Sequence, residues 1–410
     1  MSHVDAATSE PSVAAPPGNP RFPLLDSLRG LAALSIVGIH LTSYTWAFRH
    51  GWPRASLGIG GVGIATFFLM SGFLLYRPFV WARVQGRPRP SLRRYSRARV
   101  LRLVPGYWFA LTILALWPGL PGHVFGRDSV IYYTFTQDYS TRTLEGGIRP
   151  AWTLGTELCF IVFLPFYAWL AARPVLNRTL RRVVVGELSI LFVLACGTFV
   201  FRSRVTHVYD MRNWPGELFP GSFDWFAVGM ALAVVSAVVA RRGAPEGGIL
   251  RLIRHRPGVC YSISFAVLFA DVVWTRVNLD SQWATDAFSS APPHLLYALA
   301  AIFASLPAIF GGEGGLSRRL LRLHPLPTIG AISYGIYLWH VPLIQRAEMF
   351  VVWHPQYDYL AWPLRVGAAF CAIGAGYLSY RFVERPLLLL KNRRVSSRAP
   401  DAAPAASGAS

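Results

Sequence analysis

Ten stretches of this chain are each long and apolar enough to cross a bilayer, at 25–46, 59–80, 101–118, 152–172, 183–201, 221–240, 258–275, 294–311, 327–350 and 361–383. A spanning helix needs about 20 mostly apolar residues, and its backbone polar groups must be satisfied within the segment because lipid offers no partner. The expected fold is therefore an all-α polytopic membrane protein with about ten transmembrane helices. Composition excludes the alternative of several soluble domains. The 410 residues are 53% hydrophobic and 15% charged, with a mean hydropathy of +0.38, whereas soluble chains are about 25% charged.

The net charge of +20 does not mark a nucleic-acid binder. Nearly all of it is arginine in short clusters between apolar runs, which is the pattern of bilayer topology. With ten spans and both termini cytoplasmic, the arginines of 83–99, 173–182, 241–256, 318–322 and 385–398 all fall on the inner side. An eleventh apolar piece, 128–137, is too short to span, and counting it would move every later basic loop outside. It reads as an interfacial or re-entrant segment of an outer loop, 119–151, whose Tyr132, Tyr133, Phe135 and Tyr139 suit an interface.

Residues 1–20 are read as a disordered cytoplasmic tail, 21–388 as the transmembrane domain, and 389–410 as a basic and then disordered cytoplasmic tail, with no soluble catalytic domain expected after the last span. Four single cysteines within apolar segments indicate neither a disulfide framework nor a thiolate metal site. The preference for Arg over Lys and the Ala, Pro and Gly bias suggest a GC-rich bacterial genome, hence a multi-pass protein of a bacterial plasma membrane.

Ionisable groups deep in a span are default functional candidates, since their desolvation must serve a purpose. His40 in the first span, His340 in the ninth and Glu157 in the fourth survive that filter. Counting ~1.5 Å per residue from each entry side puts the three at a comparable outer-half level, where they are expected to share a cavity. Arg29 lies eleven residues before His40 on the same face, roughly 16 Å nearer the cytoplasm. As isolated groups, the histidines also fit helix-packing hydrogen bonds, and Glu157 a buried carboxylate paired with Arg.

The cytoplasmic stretch 91–105, SLRRYSRARVLRLVP, carries Arg93, Arg94, Arg97, Arg99 and Arg102. It serves as a topogenic stop; alternatively, its guanidinium forks bind the phosphates of a polyanionic donor such as coenzyme A. The HxxxxD spacing at His123 and Asp128 is a chance match in an outer loop. Ser71, with no GxSxG elbow, suits close helix contact better than nucleophilic catalysis.

Six blocks in order resemble the acyltransferase 3 family of integral membrane acyltransferases, over most of 22–388. They are LDSLRGLAALSIVGIH (25–40), FFLMSGFLLYRPFV (67–80), RRYSRARVLRLVPGYW (93–108), AWTLGTELCFIVFLP (151–165), ISYGIYLWHVPLI (332–344) and FVERP (382–386). The resemblance is to the stand-alone form without a fused esterase-like domain. It implies transfer of an acyl group, expected to be acetyl, from acyl-coenzyme A to a hydroxyl of a carbohydrate, envelope glycan or secreted natural product, with no bound cofactor or metal. It also implies that Arg29 and His40 form the essential pair. Arg93, Arg94, Arg97 and Arg102 would meet the donor, Glu157 and His340 would line the catalytic cavity, and Tyr334 and Trp152 would contact substrate. Departures are the missing acid at 63–66 and Thr153 where the family has Ser. The expected partners are the bilayer, the acyl-coenzyme A donor and the hydroxyl-bearing acceptor, with no nucleic acid. His40 is the expected general base, with Glu157 orienting it and His340 as its rival. For the acceptor, Tyr133, Tyr139, Asp210 and Trp214 in the outer loops suit sugars and a membrane interface alike. A second function remains open: a transporter or flippase for a lipid-linked or glycan substrate, with Arg29, Glu157 and His340 as a proton relay.

Overall fold

The structure, a computed structural model, describes residues 22–43, 56–140, 142–173, 179–209, 217–242, 248–278, 291–311 and 316–389. The two tails and the loop holding Asp210 and Trp214 lie outside the described residues. Each of the ten expected spans is a helix: α1 (Pro23–Ser43), α2 (Gly61–Val84), α3 (Leu92–Leu116), α4 (Trp152–Ala171), α5 (Leu180–Tyr209), α6 (Phe223–Arg242), α7 (Pro257–Asn278), α8 (Ala291–Phe310), α9 (Leu326–Trp353) and α10 (Ala361–Ser379). There is no strand among the described residues. We call the end where α1 begins the inner end, following the arginine bias.

Nine helical segments among the described residues are apolar enough to cross a membrane by length and composition. Of the ten expected spans, α9 falls short despite its 28 residues. The physical reason lies in its polar side chains: Ser333, Tyr337 and His340 are buried against neighbouring helices, so α9 presents them to protein and not to lipid. At the other extreme, α5 and α7 leave most of their surface facing outward, while α2 and α6 form the enclosed centre of a multi-pass membrane bundle. Phe68, Phe226 and Phe160 stack there in a row, with centroids 4.5 and 4.2 Å apart.

Glycines set the crossings. A Cβ on Gly72 would sit 2.2 Å from the Phe226 carbonyl, and one on Gly229 2.0 Å from that of Leu69, so α2 and α6 touch backbone to backbone. At a second crossing, Gly30 of α1 lies on Gly330 of α9, where a Cβ would reach the Asp26 carbonyl at 1.8 Å. A third, Gly335 on Gly376, joins α9 to α10. Helix α3 starts at Ser91, whose hydroxyl accepts from the Arg94 N–H at 3.5 Å. The 128–137 segment contains a short helix, Ser129–Tyr133, within the loop between α3 and α4. Tyr107 of α3 donates to the Tyr132 carbonyl at 2.9 Å, and Tyr132, Phe135, Gln137 and Asp138 are buried.

Candidate active site

The Gly30–Gly330 crossing places the two deep histidines together. Both α1 and α9 run outward from it, and His40 and His340 each lie ten residues further on, about 15 Å along their helices. They meet edge to face, ring centroids 5.0 Å apart, with His340 Nε2 3.3 Å from His40 Nδ1. The hydrogen-bond network fixes the tautomers. His340 Nδ1 is 2.8 Å from the Tyr337 carbonyl and 3.2 Å from that of Ile336; carbonyls only accept, so Nδ1 carries the proton and Nε2 presents a lone pair. His40 Nδ1, 2.8 Å from the Ile36 carbonyl, is protonated by the same logic and shares its hydrogen with His340 Nε2. That leaves the lone pair of His40 on Nε2. His340 is fully buried and His40 half-buried.

Glu157 does not join the pair. It accepts from the Ser71 hydroxyl at 2.8 Å, one turn of α4 further in than Thr153. Its electrostatic neighbours are Arg29, Arg99, Tyr95 and Tyr334. Helix α3 splits the arginines by face. Arg93, Arg94 and Arg97 are exposed, whereas Arg99 and Arg102 turn inward toward Arg29. Three guanidinium groups thus gather in the inner half opposite Glu157 and Glu384. Asp26 adds an exposed ion pair with Arg29 at 3.1 Å. Tyr334 belongs to this inner cluster and donates to the Leu103 carbonyl at 2.5 Å. Trp152 packs edge-on against Phe68, centroids 6.2 Å apart, on the wall of the bundle.

One wall of the histidine site is the loop between α3 and α4 together with the start of α4. Thr153 donates to the Tyr337 hydroxyl at 2.9 Å, which donates to the Pro150 carbonyl at 2.7 Å, tying α9 to α4 one turn below His340. Arg149, within electrostatic reach of His40, is held by Glu217 at 3.0 Å and Glu145 at 2.8 Å. Asp138 in the loop is 2% exposed. Burial first, then the nearby Glu217, push its carboxyl up to about 8 against the pull of Arg149. Burial raises Glu217 as well, opposed by Arg149.

Between the ordinary carboxylate range and pH about 8, the folded chain keeps a proton on Asp138 that the unfolded chain has released. Stability from this group therefore falls as pH rises through that window. Asp138→Asn is expected to flatten the decline in unfolding free energy between pH about 5 and 8, by at most about 1.4 kcal/mol per pH unit. An unchanged slope would show the carboxylate to be ionised in the fold.

A family model described as an acyltransferase domain matches residues 22–381, which contain both histidines and all three inner arginines. The chain belongs to the acyltransferase 3 family. Among curated relatives it is similar to "O-acetyltransferase OatA" of Staphylococcus aureus strain NCTC 8325, 24% identical over 387 residues, covering 90% of this chain and 58% of the relative. It is likewise similar to "Peptidoglycan O-acetyltransferase OatA" of Listeria monocytogenes, 24% identical over 89% of this chain and 55% of the relative. A third relative is "Putative peptidoglycan O-acetyltransferase YrhL" of Bacillus subtilis, 23% identical over 92% and 56%. The chain spans a little over half the length of these relatives. No solved structure matches it. As a bacterial-type member of the acyltransferase 3 family, it is a multi-pass membrane protein.

Several site residues of this family member escape a reading by motif. Tyr337 and Thr153 sit inside quoted blocks, but nothing in one sequence says that they bond to each other. Ser71 is legible only as a small packing residue, although its hydroxyl holds Glu157. Arg99 carries a usable signal: with Arg102 and Gly106 it follows the i, i+3, i+7 spacing of one helical face.

Proposed function

We propose that the chain transfers an acetyl group from acetyl-coenzyme A to a hydroxyl of a cell-envelope glycan, with His40 Nε2 as general base. The observation that carries this reading is the His40–His340 pair, in which backbone carbonyls and His340 consume the Nδ1 protons and leave the lone pair of His40 Nε2 without a partner among the described residues, in a half-buried site. The names of the relatives, two of which specify peptidoglycan, support an envelope glycan as acceptor. The inner cluster suits the donor: Arg29, Arg99 and Arg102 offer paired N–H donors to phosphate oxygens, and Glu157 limits their mutual repulsion. The exposed Arg93, Arg94 and Arg97 at the start of α3 attract the polyanion to the mouth. The roughly 16 Å between Arg29 and His40 is the interval that the pantetheine arm bridges.

In the reaction, the acceptor hydroxyl oxygen attacks the thioester carbonyl carbon while His40 Nε2 takes its proton. The carbon–sulfur bond breaks, the thiolate leaves, and the proton on His40 passes to it. His340 is a positioning residue, since both of its ring nitrogens are engaged in holding His40 and its own backbone. A positioned base of this kind contributes about 10²–10⁴ in rate. Membership of an acyltransferase family and an arginine-lined inner cluster favour transfer over transport.

The test is to incubate the purified protein in nanodiscs with radiolabelled acetyl-coenzyme A and solubilised peptidoglycan fragments. Stoichiometric thiol release and alkali-labile label on the glycan are expected. Folded protein that binds the donor and labels no hydroxyl compound across a panel of envelope glycans would overturn the acceptor assignment, and protein that binds no donor would overturn the reaction.

A further inference from the structure

Glu384, the acid of the FVERP block, takes no part in the transfer step. It ends a π-helical turn, Tyr380–Glu384, that continues α10. A π turn widens the helix by one residue and rotates everything after it, and such turns concentrate at functional sites. Here it carries Glu384 inward, to 4% exposure, with its Oε1 buried and no hydrogen-bond partner among the described residues. A buried carboxylate oxygen without a donor is costly enough that a native fold keeps one only for a reason.

The surroundings show which way it faces. Gly106 of α3 lies opposite: a Cβ there would be 2.8 Å from the Tyr334 ring and 3.4 Å from Glu384 Cγ, so the bare backbone lets both side chains approach. The Tyr334 hydroxyl is spent on the Leu103 carbonyl and cannot serve Glu384. Arg102, one turn before Gly106, is within electrostatic reach of Glu384 and of Arg29 and Arg99. In that same cluster Arg99 Nε is also buried without a partner among the described residues. The inner site therefore carries one unused N–H donor beside a group of cations and, further along, one unused oxygen acceptor. A matching ligand has anionic oxygens at one end and an N–H beyond them.

We propose that Glu384 binds the acyl donor, its free carboxylate oxygen accepting an amide N–H of the pantetheine arm while Arg99 Nε donates to a phosphate oxygen. The assignment rests on acyl-coenzyme A being the donor. It makes Glu384 a reader of the arm, distinct from the arginines that read charge.

Three probes separate these parts: coenzyme A, 4′-phosphopantetheine, and adenosine 3′,5′-bisphosphate, which has phosphates but no arm. Binding is measured by calorimetry on the detergent-purified full chain. Glu384→Ala is expected to weaken coenzyme A and 4′-phosphopantetheine about tenfold, the scale of one lost hydrogen bond to a charged group, and to leave the bisphosphate within twofold. Glu384→Met, which keeps the shape and removes the acceptor, gives the same selective loss and serves if the alanine variant does not fold. Equal weakening of all three probes by both variants, or unchanged binding of coenzyme A, overturns the proposal. Wild-type protein that binds none of the three fails the donor reading itself, a result separate from failure of Glu384.

Discussion

His40→Ala is expected to lower kcat by about 10²–10⁴ while leaving donor binding and Tm close to wild type. The site loses only its proton acceptor. His40 is half-buried and its recorded bonds run to the Ile36 carbonyl and to His340, so its removal breaks no long-range tie except the one to its neighbour. Added imidazole should restore part of the rate to this variant, which a merely structural role would not allow. His340→Ala, in contrast, removes the acceptor that holds His40 Nδ1 and leaves Nε2 in place; a fall of about tenfold to a hundredfold in kcat fits a positioning role. Single-turnover assays on both variants decide the matter. Near-normal turnover in His40→Ala, with complete loss in His340→Ala, would move the base to α9.

Gly330→Ala should abolish activity by a different route. Its added Cβ would meet the Asp26 backbone, with the carbonyl oxygen at 1.8 Å and the carbonyl carbon at 2.6 Å, and backbone cannot rotate aside. Helices α1 and α9 must separate, at a cost of about 3 kcal/mol or more, and the histidines they carry separate with them. The matched control is Gly374→Ala on α10, where nothing lies within 4 Å of the new methyl group. There Tm should hold or rise slightly, since alanine restricts the unfolded chain. Thermal unfolding and transfer rate measured on both variants test the contrast; a stable, active Gly330→Ala would mean that the crossing is looser than the structure shows.

Much of this architecture is legible in the sequence because lipid imposes a length and an apolarity that few other solvents demand. Ten runs predict ten helices, and the piece at 128–137, too short to span, holds only a five-residue helix, Ser129–Tyr133. Depth is legible too, since residue count along a helix is a ruler; hence His40 and His340 arrive at one level. Azimuth is what counting cannot supply. Counting also misplaces Glu157, which it sets level with the histidines although the side chain sits in the inner half, facing Ser71 and the arginines. Arg97 and Arg99 are two residues apart and point to opposite environments because each residue turns the helix by about 100°. Glu384 is harder still, for the π turn shifts its register relative to any regular helix. The low apolarity of α9 follows from side chains that never meet lipid.

The crossing at Gly30 and Gly330 behaves as a fulcrum with two lever arms of equal length. A swing of about 4° at the pivot moves each tip by about 1 Å over its 15 Å arm, enough to make or break the contact between the imidazoles. The arms also constrain each other's length: one residue gained between pivot and tip on α1 must be matched on α9, or the tips no longer meet. The interval of ten residues from glycine to histidine is in this sense a shared gauge, written twice into the chain.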